Sequence, residues 1–183
     1  MKYFFSIFLM LLLSACSTIN VETDFNPEFS FNSLKTYAVI HKNKTGDDTL
    51  ANDRIIEAIN SDLRSKGYRT VSREEADYLV LFHTDVRNKT RIDTDYQHVG
   101  MYPYRYGYRS AMMVPTTRTY TYDEGKLIID FVEPAENKIF WRGIATDRLK
   151  SFDSPEERIK YIHDAIGSLL KTFPATSAAS RKK

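Results

Sequence analysis

Hydrophobic positions fall into a few well-separated blocks along this chain, and the first is the longest. After Lys2, an apolar run from Tyr3 to Leu13 leads into Leu13-Ser14-Ala15-Cys16. About ten apolar residues are half of the roughly 20 that a membrane-spanning helix needs. A basic start, a short apolar run and small residues before a cut site predict a signal segment instead. Beyond Ser17 the pattern turns globular. Residues 21–25 and Thr36-Tyr37-Ala38-Val39-Ile40 are β-branched and aromatic and predict strands. Over residues 50–66, Ile55, Ile56, Ile59 and Leu63 recur at three- and four-residue spacing, one face of an amphipathic helix. Asp47, Asp48 or Thr49 supplies its cap and Gly67 closes it. Residues 68–71 read as a short strand.

Residues 77–86 hold a continuous apolar run, Tyr78 to Phe82, which predicts a central strand buried on both faces. Residues 87–114 show no clean period and include Gly100, Pro103 and Gly107, so a long excursion from the domain is expected there. Residues 116–122, 126–132 and 138–149 predict a meander of three strands, turning at Asp123-Glu124-Gly125 and over residues 134–137. Ser154-Pro155-Glu156-Glu157 combines a capping Ser, a Pro at the first helical position and a capping-box Glu. Ile159, Ile162, Ile166, Leu169, Leu170 and Phe173 then line one face of a second helix, which Pro174 ends. Together these elements predict an α+β fold: a mostly antiparallel sheet of five to seven strands with two amphipathic helices packed on it. The expected organisation is a signal peptide over 1–15, a tether over 16–20, a single domain over 21–174 and a disordered basic tail over 175–183.

Composition narrows the classes of function. Cleavage before Cys16 would remove 15 of the 183 residues and leave 168, enough for one domain with its own core. Lys2 leaves with the signal, so 25 of 26 basic side chains remain against 24 acidic ones. A nucleic-acid binder shows a clear basic excess, and none is present. Cys16 is the only cysteine, so no intramolecular disulfide is possible and stability must come from packing.

The residues around Cys16 resemble the bacterial lipobox, in which a small residue precedes a lipidated cysteine. The resemblance implies cleavage between Ala15 and Cys16, a diacylglycerol on the Cys16 sulfur and acylation of the new amine. More than one acyl chain makes anchoring stable, each buried CH₂ adding about 0.8 kcal/mol. Ser17 after the cysteine, where an aspartate would favour inner-membrane retention, implies the outer membrane, with the domain facing the periplasm. Further along, Phe31-Asn32-Ser33-Leu34-Lys35-Thr36-Tyr37, Lys66-Gly67-Tyr68, Ala76-Asp77-Tyr78-Leu79-Val80, Gly125-Lys126-Leu127-Ile128-Ile129-Asp130 and Trp141-Arg142-Gly143 resemble the bacterial lipoproteins grouped as domain of unknown function 4136. Glu133 departs from that pattern, where the family usually has Asp. The resemblance covers roughly residues 21–174 and implies an α+β periplasmic domain on a lipid anchor, with no established activity and no cofactor.

Catalytic motifs do not appear. There is no Gly-x-Ser-x-Gly elbow, no phosphate loop and no His-Glu-x-x-His; no catalytic residue, metal site or cofactor is expected. His41, His83, His98 and His163 are scattered. His83 and Asp85 share one strand face and suit either a metal or a plain polar strand end, while His163 borders the apolar stripe of the last helix. Asp130, Trp141 and Arg142 form a candidate polar cleft that could receive an anion; the plainer account has Trp141 packed under a helix, Gly143 allowing close approach and Arg142 paired with Asp130. In the excursion, Tyr96, Tyr102, Tyr104, Tyr106 and Tyr108 interleave with Arg105 and Arg109. Tyrosine and arginine anchor interfaces, so Tyr102, Tyr104, Arg105, Tyr106, Tyr108 and Arg109 are a candidate binding surface for an envelope protein or peptidoglycan. The expected function is a binding or structural module of the envelope whose other partner is membrane lipid. An envelope-acting hydrolase using Asp130, Arg142 and His83, or a surface-displayed adhesive lipoprotein, is the alternative.

Overall fold

The computed structural model describes residues 19–41, 48–99 and 112–176. In chain order these form β1 (Asn20–Phe25), β2 (Thr36–Ile40), α1 (Thr49–Ser65), β3 (Arg69–Thr70), β4 (Tyr78–Val99), β5 (Met112–Glu133), β6 (Lys138–Arg148) and α2 (Pro155–Leu169). The strands make one sheet in the order β1-β6-β5-β4-β2-β3. β2 runs parallel to β3 and β4, and the remaining ladders are antiparallel. The α+β expectation is met, with a mixed sheet.

Local chemistry sets the element ends. The Asp48 carboxylate accepts the Ala51 N–H at 3.1 Å and caps α1. At the other end Gly67 adopts φ 90°. The Tyr68 N–H then reaches back to the Leu63 carbonyl and the Gly67 N–H to that of Arg64, a Schellman closure that needs a left-handed residue. Ser154 Oγ accepts the Glu157 N–H at 3.2 Å to start α2, while the Glu157 carboxylate takes the Asp153 N–H. Asp77 sets the register of β2 on β4. Its Oδ2 accepts the N–H groups of Lys35 and Thr36, both at 2.8 Å. Burial alone would raise the Asp77 carboxyl, but these bonds and the Thr36 hydroxyl hold it below the usual carboxylate range.

Alternation along the strands gives the sheet two unlike faces. Tyr78, Val80 and Phe82 of β4, Ile129 and Phe131 of β5, and Trp141 and Ala145 of β6 face both helices and form the main core. Phe131 is its centre, with ring centroids 4.4 Å from Phe173, 4.8 Å from Trp141 and 5.3 Å from Tyr78. Such aromatic pairs add about 0.5–1.5 kcal/mol each beyond the area they bury. The other face carries only a small cluster of Ala38, Leu79 and Val132. The chain stays docked through Thr176, whose N–H donates to the Lys66 carbonyl at 2.9 Å.

Three expectations need correction. Residues 87–99 and 112–114 are not part of an excursion but belong to β4 and β5, which pair continuously from Leu79↔Val132 to Val99↔Met112. No turn forms at Asp123-Glu124-Gly125, so the meander has two strands rather than three. The polar residues read as a turn serve as cross-strand partners: Asn88 donates to Asp123 at 3.0 Å, and Lys89 lies 3.6 Å from Glu124. Gly125 has no positive φ; it makes room for Leu149, since a Cβ there would sit 2.7 Å from Leu149 Cδ2. Finally, simple strand alternation would put Phe140 on the face of Arg142, opposite Trp141, and it does not lie there. A bulge opposite Phe131/Val132 adds one residue to β6 and turns Phe140 inward, where it stacks on Phe29 at 4.0 Å and 7°.

At Gly143 the sheet closely approaches α2: a Cβ there would collide with Leu169 Cδ2 and with Trp141 Cη2. Both neighbours are buried, so Gly143→Ala should cost about 1–3 kcal/mol of unfolding free energy, read as a fall in denaturant midpoint. Tyr78 is fully buried and its hydroxyl has no hydrogen-bond partner among the described residues. Removing that orphan polar group in Tyr78→Phe should leave thermal stability equal or higher.

Candidate functional site

The helix-covered face does not close completely. Where β4 and β5 leave the cover of the helices, a cavity of about 410 Å³ opens between the first turns of α1, the N-terminal half of α2 and the sheet. Its floor is Ile55, Leu127, Ala145, Ile162 and Ala165. This volume lies in the range of small-ligand sites, about 300–1,000 Å³. The two capped helix starts frame the opening, which places Asp48 on one side and Phe152, Arg158 and Tyr161 on the other.

Charges at the mouth are arranged in pairs. The Tyr161 hydroxyl donates to Asp147 Oδ2 at 2.9 Å, Lys150 Nζ lies 3.1 Å from the same oxygen, and the Arg148 N–H donates to Oδ1 at 2.8 Å. Burial opposes ionisation of Asp147, but the bonds from Lys150, Tyr161 and Arg148 outweigh it and hold the carboxyl below the usual range. Tyr161 is pushed the other way, upward, by burial and by its bond to Asp147. Arg158 reaches Asp48 at 3.8 Å and Phe152 by a cation–π contact at 5.6 Å. The result is an apolar slot on whose rim Asp147 pairs with Lys150 and Tyr161, and Asp48 with Arg158; Lys126 also lines it. Tyr161 is a donor held protonated, and Asp147 is an acceptor already engaged three times, so neither is set up as a general base.

Asp130 and Arg142 lie on the opposite face of the sheet from this slot. They face each other across the hairpin, with Arg142 Nε 2.5 Å from Asp130 Oδ1 and Nη2 2.7 Å from Oδ2. Both carboxylate oxygens are thus taken by one fork, the plainer of the two accounts. Trp141 is buried in the core and is not part of a cleft. His83 and Asp85 share the Asp130 face by alternation, but Asp85 bonds Arg87 at 2.7 Å and no hydrogen bond joins His83 to Asp85, Asp130 or Arg142 among the described residues. His41 stacks on Phe82 at 4.3 Å, and His163 is half-buried on α2. Among the described residues no group of three His, Cys, Asp or Glu side chains could hold a metal. Ala15, Cys16, Tyr102, Tyr104, Arg105, Tyr106, Tyr108 and Arg109 lie outside the described residues. The slot itself was not legible beforehand. Asp147 sits on a strand read only for its Trp-Arg-Gly, and Tyr161 sits one position off the apolar stripe.

Two expected outcomes separate these pairs. Because Asp147 has a lowered value, its contribution is present above the ordinary carboxylate range and is lost as pH falls through the folded-state value. Asp147→Asn should therefore flatten the stability–pH curve below about pH 4, measured by thermal unfolding across an acid series. For the open-face pair, Arg142→Leu should destabilise by leaving a buried carboxylate alone. The double variant Asp130→Leu/Arg142→Leu should cost less than Arg142→Leu by itself, read in the same denaturant titration.

Comparison with known proteins adds fold and family. No curated protein matches the chain. Among solved structures, a PDZ domain protein from Parabacteroides distasonis ATCC 8503 aligns with TM-score 0.54 and 13% identity, over 87% of this chain and 37% of that one. This chain therefore spans little more than a third of that protein, and the likeness is one of fold. A PelC dodecamer from Paraburkholderia phytofirmans aligns with TM-score 0.46 and 12% identity, over 83% and 94% of the two chains. A minor lipoprotein from Acinetobacter baumannii aligns with TM-score 0.36 and 12% identity, over 81% and 95%. Among the described residues, no helix is long and apolar enough to cross a membrane. A family profile described as "Domain of unknown function (DUF4136)" matches residues 21–175, the span over which the short motifs pointed the same way, and the chain belongs to that family.

Proposed function

We propose that this chain is an envelope lipoprotein anchored through acylated Cys16, whose domain is a binding module rather than an enzyme. The ligand site is the slot between the helices and the sheet. The observation that carries this reading is an apolar floor beneath a rim on which Asp147 is engaged by Lys150 and Tyr161, and Asp48 by Arg158. A slot of that kind gains by excluding water from an apolar group, and its rim carboxylates are already engaged rather than free to act as a base. Its ligand is the apolar end of a small amphipathic molecule, with the polar end left at the Asp147–Lys150–Tyr161 rim. The hydrolase alternative needs Asp130, Arg142 and His83 to converge, and the engagement of both Asp130 oxygens by Arg142 argues against it.

The anchor rests on Lys2, the apolar run after it and Leu13-Ser14-Ala15-Cys16. Outer-membrane placement facing the periplasm rests on Ser17. Cys16→Ser should yield a precursor without acyl mass in intact-protein mass spectrometry, and normal membrane retention of that variant would refute lipidation. For the slot, an apolar fluorophore such as N-phenylnaphthylamine should bind the full chain and brighten. Ala51→Phe projects a ring from α1 into the slot and should abolish that signal while leaving the unfolding temperature close to wild type. Equal fluorescence from wild type and variant would remove the slot as the site.

A further inference from the structure

β4 and β5 continue far beyond the rest of the sheet. β6 pairs with β5 only as far as Glu124↔Arg148, and β2 pairs with β4 only as far as Ile40↔Leu81. Past those points the two long strands pair with each other alone, a two-stranded ribbon with both edges open among the described residues. Its side chains are exposed on both sides: Ile92 is 65% and Tyr96 67% accessible on one face, and Tyr120, opposite Arg91, is 48% accessible on the other. A long open edge displays a row of unpaired N–H and C=O groups, and proteins normally suppress chance pairing there with charge.

The charges on the outer edge of β4 have an order that does more than repel. Along one ribbon face run Arg87, Lys89, Arg91, Asp93 and Asp95; on the other lie Asn88, Thr90, Ile92, Thr94 and Tyr96. Basic residues precede Ile92 and acidic residues follow it. Antiparallel pairing of this edge with itself preserves the two faces only when the two-fold axis passes through a residue. With the axis at Ile92, Arg91 stands opposite Asp93 of the second copy and Lys89 opposite Asp95, each pair occurring twice. On the other face Ile92 meets Ile92, and Thr90 meets Thr94. Moving the axis by one residue sets Arg91 on Arg91 or Asp93 on Asp93, and like charges directly opposite are destabilising.

We infer that the outer edge of β4 is a self-association surface that pairs antiparallel with the same edge of a second copy, centred on Ile92. The charge order is self-complementary in that register. Within one copy Arg91 already bonds Asp93 at 2.7 Å, both side chains remaining well exposed. Dimerisation exchanges that local bridge for the same bridge across the two-fold axis.

Sedimentation velocity of the full chain in detergent tests this directly. The wild type should be dimeric. An all-acidic edge, Lys89→Glu/Arg91→Glu, and an all-basic edge, Asp93→Lys/Asp95→Lys, should each weaken self-association by roughly tenfold or more. An equimolar mixture of the two should dimerise again. Both variants lose the Arg91–Asp93 bridge within the copy, so only pairing between copies can account for rescue on mixing. A monomeric wild type, or no rescue on mixing, overturns the proposal. Should either charge variant fail to fold, Ile92→Cys decides: it should form a disulfide-linked dimer under mild oxidation, whereas Thr90→Cys alone should not. Equal crosslinking of both would exclude the Ile92 register.

Discussion

The architecture depends on how Phe131 is buried. Its ring sits in the middle of β5 and touches Tyr78 from β4, Trp141 from β6 and Phe173 from the end of the chain. Around that centre α2 is held to the sheet by Ile166 and Leu169 in the same core and by the Tyr161–Asp147 hydrogen bond. The bulge at Phe140 belongs to the same arrangement, because the extra residue lets two successive aromatic side chains of β6 enter one core. With no disulfide available, this aromatic packing takes the place a covalent staple has in many exported domains.

Short motifs and helix boundaries were readable in advance because their causes are local. Gly67 ends α1 through its left-handed φ, and Ser154 and Pro155 start α2. Each needs only neighbours or one well-defined partner. The long hairpin was misread because a cluster of Asp, Glu and Gly carries the same signature in a turn as in a strand whose side chains are all spoken for. Only the partner strand distinguishes them, and Asn88, Lys89 and Leu149 lie far off in sequence. The charge alternation over residues 85–95 is a period-two strand signal carried by charged rather than apolar positions.

The stretches by which the chain resembles its family turn out to be structural. Asp77 and Tyr78 join β2 to β4 and fill the core, Gly67 and Tyr68 close α1, and Trp141, Arg142 and Gly143 pack, pair and make room. They specify a scaffold. The slot beside α2 is built from residues outside those stretches, apart from Gly125, Lys126 and Leu127 at its floor and edge.

The register of β1 has a consequence for posture. β1 enters the sheet with Asn20 opposite Thr146, at the very end from which the long ribbon departs. Residues 16–19 can extend at most about 14 Å, whereas residues 87–99 project roughly 43 Å in the same direction. With the proposed acylation of Cys16, that leash would be too short for the domain to stand upright on its ribbon. The ribbon would then lie along the lipid surface, its strand edge presented sideways to neighbours in two dimensions rather than three.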